Sequence, residues 1–229
     1  MSRVIVVTGA SSGVGKDITE SFKAKGWTTV ALGRRPEVSF SQPDVDYYSV
    51  DVSDWRNVDE VVKRIISKHS KIDLLVNNAA VFKMKSLSDL DISEVDAMID
   101  TNLKGSIYVT KACLGALTKA RGRIVNVSSV AGIHGIKNQS AYCASKHGLN
   151  GFAEALNQEL LELGVSITTI CPGGINTPLW DPKNNPYPGG DVNQLIPPNE
   201  ITKIVEHISE LPKNIVLKNV TLFPDNEWH

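Results

Sequence analysis

The 229-residue sequence predicts an α/β fold, a doubly wound parallel sheet with helices on both faces. Three observations carry this expectation. Short β-branched runs alternate with longer stretches of helical period, which argues for repeated βαβ units. Most of the short runs are nearly continuously apolar, as strands covered on both faces must be. Gly26 and Gly164 stand where helix-ending glycines belong.

In chain order, strands are expected at residues 4–7, 28–32, 47–50, 72–76, 124–127 and 165–170. Helices are expected at 16–25, 55–68, 94–119 and 142–163. From Trp180 to Pro198 the rhythm breaks. Proline, glycine and asparagine are too dense there for regular structure, so a long loop is predicted. Such loops serve as lids or simply move. A helix at 200–211 and a strand at 215–223 close the chain. No internal repeat, heptad or low-complexity tract interrupts this order. The chain reads as a single domain, 1–229, with residues 179–199 as a substrate loop.

Composition narrows the function classes. A net charge of -1 gives no whole-molecule electrostatic case for nucleic acid or an anionic membrane. After Met1-Ser2-Arg3, the apolar run is too short for a signal-peptide core. No stretch approaches the roughly 20 apolar residues that span a bilayer. Cys113, Cys143 and Cys171 lie in apolar contexts and read as buried, reduced thiols, which points to the cytoplasm. No His/Cys/Asp/Glu spacing suggests a metal. His69 and His207 sit in helical stretches without evident partners, His147 follows Lys146 on its helix and reads as packed or solvated, and His134 reads as a loop residue rather than a substrate neighbour.

The first strand runs into Thr8-Gly9-Ala10-Ser11-Ser12-Gly13-Val14-Gly15, and a helix follows at once. Glycines permit close backbone approach to a phosphate, and a helix N-terminus offers unpaired N–H groups to an anion. A lone glycine loop is a weak signal, equally a tight turn. Its place between first strand and first helix makes it a dinucleotide site. The second strand ends at Leu32-Gly33-Arg34-Arg35, with no acid to hold a ribose 2′-hydroxyl. Two guanidiniums suit a 2′-phosphate, so NADP(H) is expected ahead of NAD(H). Arg35, more than Arg34, also reads as a solvated surface residue.

Tyr142 and Lys146 are four apart in a helical stretch and share one face. A phenol titrates near 10, and a nearby ammonium is expected to lower that value toward useful acid–base chemistry. Spacing alone, however, fits an ordinary surface Tyr–Lys contact.

The surrounding motifs change that balance. Roughly from Arg3 to Thr177, the sequence resembles the short-chain dehydrogenase/reductase family. The glycine loop, Asp51-Val52, Asn77-Asn78-Ala79, Asn102, Ile124-Val-Asn-Val-Ser-Ser129, Tyr142-Cys-Ala-Ser-Lys146 and Pro172-Gly173 appear in the family's order. The resemblance implies a Rossmann-like sheet of about seven strands. It also implies that Tyr142 protonates the substrate oxygen, Ser129 bonds the carbonyl, and Lys146 binds the nicotinamide ribose. Asn102 would link through water to the lysine; on its own it is a helix-interior irregularity. Ser128 reads as a turn residue.

By the same resemblance, Gly9, Ser11, Ser12, Gly13, Val14, Gly15, Arg34 and Arg35 would hold the nucleotide phosphates. Asp51 and Val52 would flank the adenine, although Asp51 also reads as a helix N-terminal acid, and the two roles are compatible. Asn78 and Ala79 would offer backbone contacts. Ala80 stands where the family usually has glycine, which puts that loop's geometry in doubt. Pro172, Gly173, Ile175 and Thr177 would hold the carboxamide. The expected activity is carbonyl reduction on a small molecule, with 3-oxoacyl thioester reduction or a catalytically silent NADP-binding regulator as alternatives. Leu179, Trp180 and Tyr187 suggest an apolar substrate. The chain ends Asn219-Val-Thr-Leu-Phe-Pro-Asp-Asn-Glu-Trp-His229, without the family's glycine-rich strand end. A homodimer through the two long helices is therefore expected, with a homotetramer as the alternative.

Overall fold

A computed structural model describes residues 2–183 and 185–225. Met1, Asn184 and the last four residues of the tail, which the terminal expectations touch, lie outside the described residues. Seven strands form one parallel sheet: β1 (Val4–Thr8), β2 (Thr28–Gly33), β3 (Asp46–Ser49), β4 (Leu74–Asn77), β5 (Arg123–Val127), β6 (Ser166–Pro172) and β7 (Asn219–Leu222). Their spatial order is β3-β2-β1-β4-β5-β6-β7. The order reverses beside β1, where Val7 pairs with Ala31 on one side and Val76 on the other. This is the doubly wound Rossmann-like pattern, which places a crevice at the carboxyl ends of the strands.

The central strands are buried on both faces because helices cover both. Ile5, Val7 and Val125 pack with Ile18 and Phe22 of α1 (Gly13–Ala24) and Ile201 and Val205 of α6 (Pro198–Glu210). Val6, Leu75 and Ile124 face the other way, toward α2 (Trp55–His69), α4 (Ser106–Ala120) and α5 (Ser140–Leu160). A third cluster, with Phe82, Met98, Ala131 and Tyr142, lies at the strand ends.

Beyond shifts of one to three residues at the ends of other elements, three elements differ from expectation, each for a local reason. The helix predicted at 94–119 starts at α3 (Ile92–Met98), widens into a π-turn at Ile99–Gly105, and continues as α4. The π-turn contains Asn102, whose side chain is committed outside the helix. The strand predicted at 215–223 shortens to β7. Arg123 donates to the carbonyls of Leu211 (2.8 Å), Pro212 (2.8 Å) and Ile215 (3.1 Å), so the chain is held by a side chain as far as Ile215, and sheet bonding begins at the Lys218 carbonyl, which accepts from Thr169 N at 2.9 Å. The final helix starts at Pro198 rather than 200, a first-turn proline whose missing N–H costs nothing there. The 180–198 loop is irregular as expected, apart from single bridges (Ile175 with Ile196, Asp181 with Asn185) and a short turn at Val192–Gln194.

Cys113, Cys143 and Cys171 are buried free thiols. His69 does have a partner, Asp46, at 2.9 Å. Among the described residues, no helix is long and apolar enough to cross a membrane, and no group of three or more His, Cys, Asp or Glu could hold a metal.

Candidate active site

The carboxyl ends of β1, β2, β4, β5 and β6 open onto one cleft of about 860 Å³. Gly9, Ser11, Ser12, Gly13 and Val14 line it. Gly9 has φ +66°, and a Cβ there would come within 2.8 Å of the Ala79 backbone. Only glycine tolerates both demands. Ser12 opens α1 in an extended conformation without capping by its side chain, and the first turn holds no acid. The uncapped N–H groups and the positive end of the helix dipole therefore remain favourable to an anion.

Gly15 does not line the cleft. A Cβ there would collide with the Gly9 carbonyl and Asn78 Nδ2, so its part is close packing of α1 beneath the loop. Gly15→Ala is expected to destabilise the fold by about 1–3 kcal/mol through overpacking. A lowered urea midpoint with an unchanged slope would register it.

Arg34 and Arg35 are exposed and line the far end of the cleft. The Tyr47 hydroxyl donates to the Arg35 carbonyl at 2.6 Å, and Arg35 Nη1 donates to the Ser11 carbonyl at 3.3 Å. This joins the arginine segment to the glycine loop. No described residue of the cleft lining carries a carboxylate. Asp51 is not in the lining either: its carboxylate accepts from Ser53 N (3.0 Å) and Oγ (2.7 Å), while Asp54, not Asp51, caps α2. Its neighbour Val52 does line the cleft, as do Asn78, Ala79 and Ala80. Asn78 Nδ2 donates to the Thr8 carbonyl at 3.0 Å, and Ala79 N donates to Thr8 Oγ1 at 3.0 Å.

Ser129, Tyr142 and Lys146 meet at the other end. Lys146 is 2% exposed; its Nζ donates to the Val127 carbonyl at 2.9 Å and lies 5.7 Å from the Tyr142 ring centroid. Burial lowers the lysine to about 8. Burial also pushes the Tyr142 phenol up to about 12, against a smaller lowering by the Ser129 hydroxyl. The expectation that the ammonium lowers the phenol is thus corrected: loss of hydration sets the direction, because the phenol is sealed from water. Ser129 Oγ accepts from Ala131 N at 3.1 Å, which points its lone-pair side inward to the turn.

Asn102 is fully buried and does not reach the cleft. Its Oδ1 accepts from Val81 N at 2.8 Å, and Nδ2 donates to the Val81 carbonyl (3.0 Å) and Ser145 Oγ (3.0 Å). One amide therefore ties the segment after β4 to α5. Ser106 Oγ donates to the Asn102 carbonyl at 3.0 Å. Pro172, Gly173, Ile175 and Thr177 line the cleft after β6, with Leu179, Trp180 and Tyr187 beyond them. Phe82, Thr101, Ile136 and Gln139 also line it, though nothing in their spacing marked them. Their neighbourhood arises only when loops from separate strands converge.

The family model for short chain dehydrogenase matches residues 3–188. An uncharacterized oxidoreductase from Staphylococcus saprophyticus is 32% identical over 236 residues, with 97% of each chain covered. Among solved structures, serine dehydrogenase from Escherichia coli is 26% identical, with a TM-score of 0.86 over 99% of this chain and 100% of that one. An alcohol dehydrogenase from Thermococcus sibiricus, complexed with 5-hydroxy-NADP, has a TM-score of 0.88 at 23% identity, covering 100% and 99%. The latter likeness speaks to fold alone.

Proposed function

This chain belongs to the short-chain dehydrogenase family and is an oxidoreductase of that family; from that premise we propose that it is an NADP(H)-dependent carbonyl reductase. The observation that carries the proposal is the convergence of Ser129, Tyr142 and Lys146 in a cleft whose far end is an acid-free, doubly arginine-lined anion site. The residues fit a phosphorylated dinucleotide. Gly9, free to adopt φ +66°, lets the loop lie directly against Ala79, and the uncapped start of α1 accepts a diphosphate. Arg34 and Arg35 suit a 2′-phosphate, and a serine dehydrogenase of similar fold has been solved with NADP+.

When bound, NADPH supplies the hydride that reduces the carbonyl carbon. The remaining work falls to the chain's own groups. With its pKa raised to about 12, Tyr142 is fully protonated at neutral pH and donates its phenol proton to the carbonyl oxygen as negative charge builds there. Ser129 Oγ donates a hydrogen bond to the same oxygen and orients it. Lys146, largely ammonium below pH 8, stabilises the phenolate that remains. Asn102 acts through geometry, holding the wall at Val81 against α5. In reverse, the phenolate takes the proton of a secondary alcohol.

The chain is read as one domain, with residues 179–199 as its substrate loop, and as a homodimer through the helices at 94–119 and 142–163. A monomer mass by light scattering at micromolar concentration would refute the dimer. Tyr47→Phe removes the 2.6 Å bond that fixes Arg35 and is expected to raise KM for NADPH about fivefold. KM for NADH should barely move, since NADH lacks the phosphate.

The direct test is a screen of NADPH oxidation over ketones, aldehydes, quinones and 3-oxoacyl esters. Turnover of simple ketones or aldehydes supports the proposal, turnover confined to 3-oxoacyl esters moves it to that class, and silence across the panel overturns it.

A further inference from the structure

We propose that the substrate end of the cleft selects a flat, uncharged aromatic carbonyl compound, an aryl ketone or aldehyde. This rests on the carbonyl-reductase reading and adds the chemistry of the group attached to the carbonyl.

The first ground is a continuous wall of rings that starts at the proton donor itself. Phe82 meets Tyr142 with centroids 4.6 Å apart and planes at 63°. Phe82 meets Trp180 at 5.3 Å and 81°, and Trp180 meets Tyr187 at 5.1 Å and 64°. All four line the cleft, and they come from three separate segments of the chain. Edge-to-face contact is the arrangement aromatic quadrupoles prefer, so a further ring entering beside Tyr142 extends a pattern already present. A saturated ring of similar volume lacks that quadrupole.

The second ground is charge. Ile136, Leu179 and Pro188 complete this end, and Gln139 contributes a neutral amide. Lys146 is the only charged side chain among the described residues lining it, and its ammonium is buried and bonded to Val127. Arg34 and Arg35 follow β2, three strands from β5, roughly 14 Å away at the usual spacing. A substrate carboxylate beside Tyr142 would find only that buried ammonium, already committed to the Val127 carbonyl and needed by the phenolate, so its desolvation is poorly compensated, which is costly.

The third ground is rigidity. Buried Asn185 accepts from Met84 N at 3.3 Å and donates to the Leu179 carbonyl at 2.9 Å. It ties the loop bearing Trp180 to the segment bearing Phe82, so the wall is set before a substrate arrives.

The test compares kcat/KM for acetophenone, cyclohexyl methyl ketone and 4-acetylbenzoate with NADPH. Wild-type protein should favour acetophenone over the anionic 4-acetylbenzoate by at least about tenfold. Trp180→Leu should reduce the acetophenone-to-cyclohexyl ratio by about threefold or more, and Trp180→Phe should restore it. Equal turnover of the anion, or a ratio that Trp180→Leu leaves unchanged, overturns the inference while leaving carbonyl reduction standing. Failure of the wild type to reduce any of the three while other carbonyls of the panel are turned over overturns this inference alone, and silence across the whole panel overturns the carbonyl-reductase reading with it. The wild-type comparison of neutral and anionic ketones decides the matter even if a Trp180 variant does not fold.

Discussion

Tyr142→Phe is expected to lower kcat for carbonyl reduction by about 10²–10⁴-fold, the usual worth of a positioned general acid. That loss corresponds to roughly 3–5 kcal/mol of barrier. The ring packing against Phe82 survives the change, because phenylalanine keeps the edge-to-face contact at 4.6 Å and lacks only the hydroxyl. Stability should therefore change little and NADPH affinity by less than about tenfold, so the effect appears in kcat rather than in binding. Stopped-flow turnover with tightly bound NADPH separates these quantities. Full residual activity in the variant would refute the role assigned to the phenol.

Lys146→Met should have the second largest effect, in two opposite directions. Activity should fall by about 10²–10³-fold, as when a preorganised group facing developing charge is removed. In wild-type protein, reduction should decline as pH rises through about 8, where the buried ammonium loses its proton, and not near 12, where the phenol does. Stability should move the other way. Burial lowers the folded pKa from 10.5 to about 8, so folding favours the neutral amine. The cost of the buried ammonium is present in full below pH 8, at about 3 kcal/mol from 1.36 kcal/mol per unit. It fades between pH 8 and 10.5 and is absent above. Methionine removes that cost but leaves the Val127 carbonyl without its 2.9 Å partner, which returns about 1 kcal/mol. A net gain of about 2 kcal/mol at pH 7, absent at pH 11, is the expected result in urea titrations. A loss of stability at pH 7 would mean that the lysine is carried charged and well compensated.

The physical reasons for this pair explain what was legible in the sequence. Strand and helix order could be read because the parallel sheet is buried on both faces, which forces continuous apolar runs such as Val4-Ile5-Val6-Val7. The glycine loop and Arg34-Arg35 were legible because backbone freedom and charge are local properties. Helix 94–119 was misread in its middle because a π-turn depends on what Asn102 touches, and its partners at Val81 and Ser145 are distant in the chain. The phenol's pKa shift was predicted with the wrong sign for a similar reason. Spacing shows that Lys146 is near Tyr142, whereas the degree of burial is a tertiary fact. Phe82, Ile136 and Gln139 were invisible as lining residues, since no motif relates them to Trp180 or Tyr187. Even Ala80, in place of the usual glycine, is accommodated in the cleft lining.

Transfer of label from NADPH carrying deuterium at both positions of the reactive nicotinamide carbon tests the central claim most directly. The account predicts that an accepted ketone yields an alcohol with one deuterium on the carbinol carbon, one NADPH consumed per product, and the reaction slowed by about 10²–10⁴-fold in Tyr142→Phe. An unlabelled alcohol, or labelled product formed at full rate without the phenol, would contradict it.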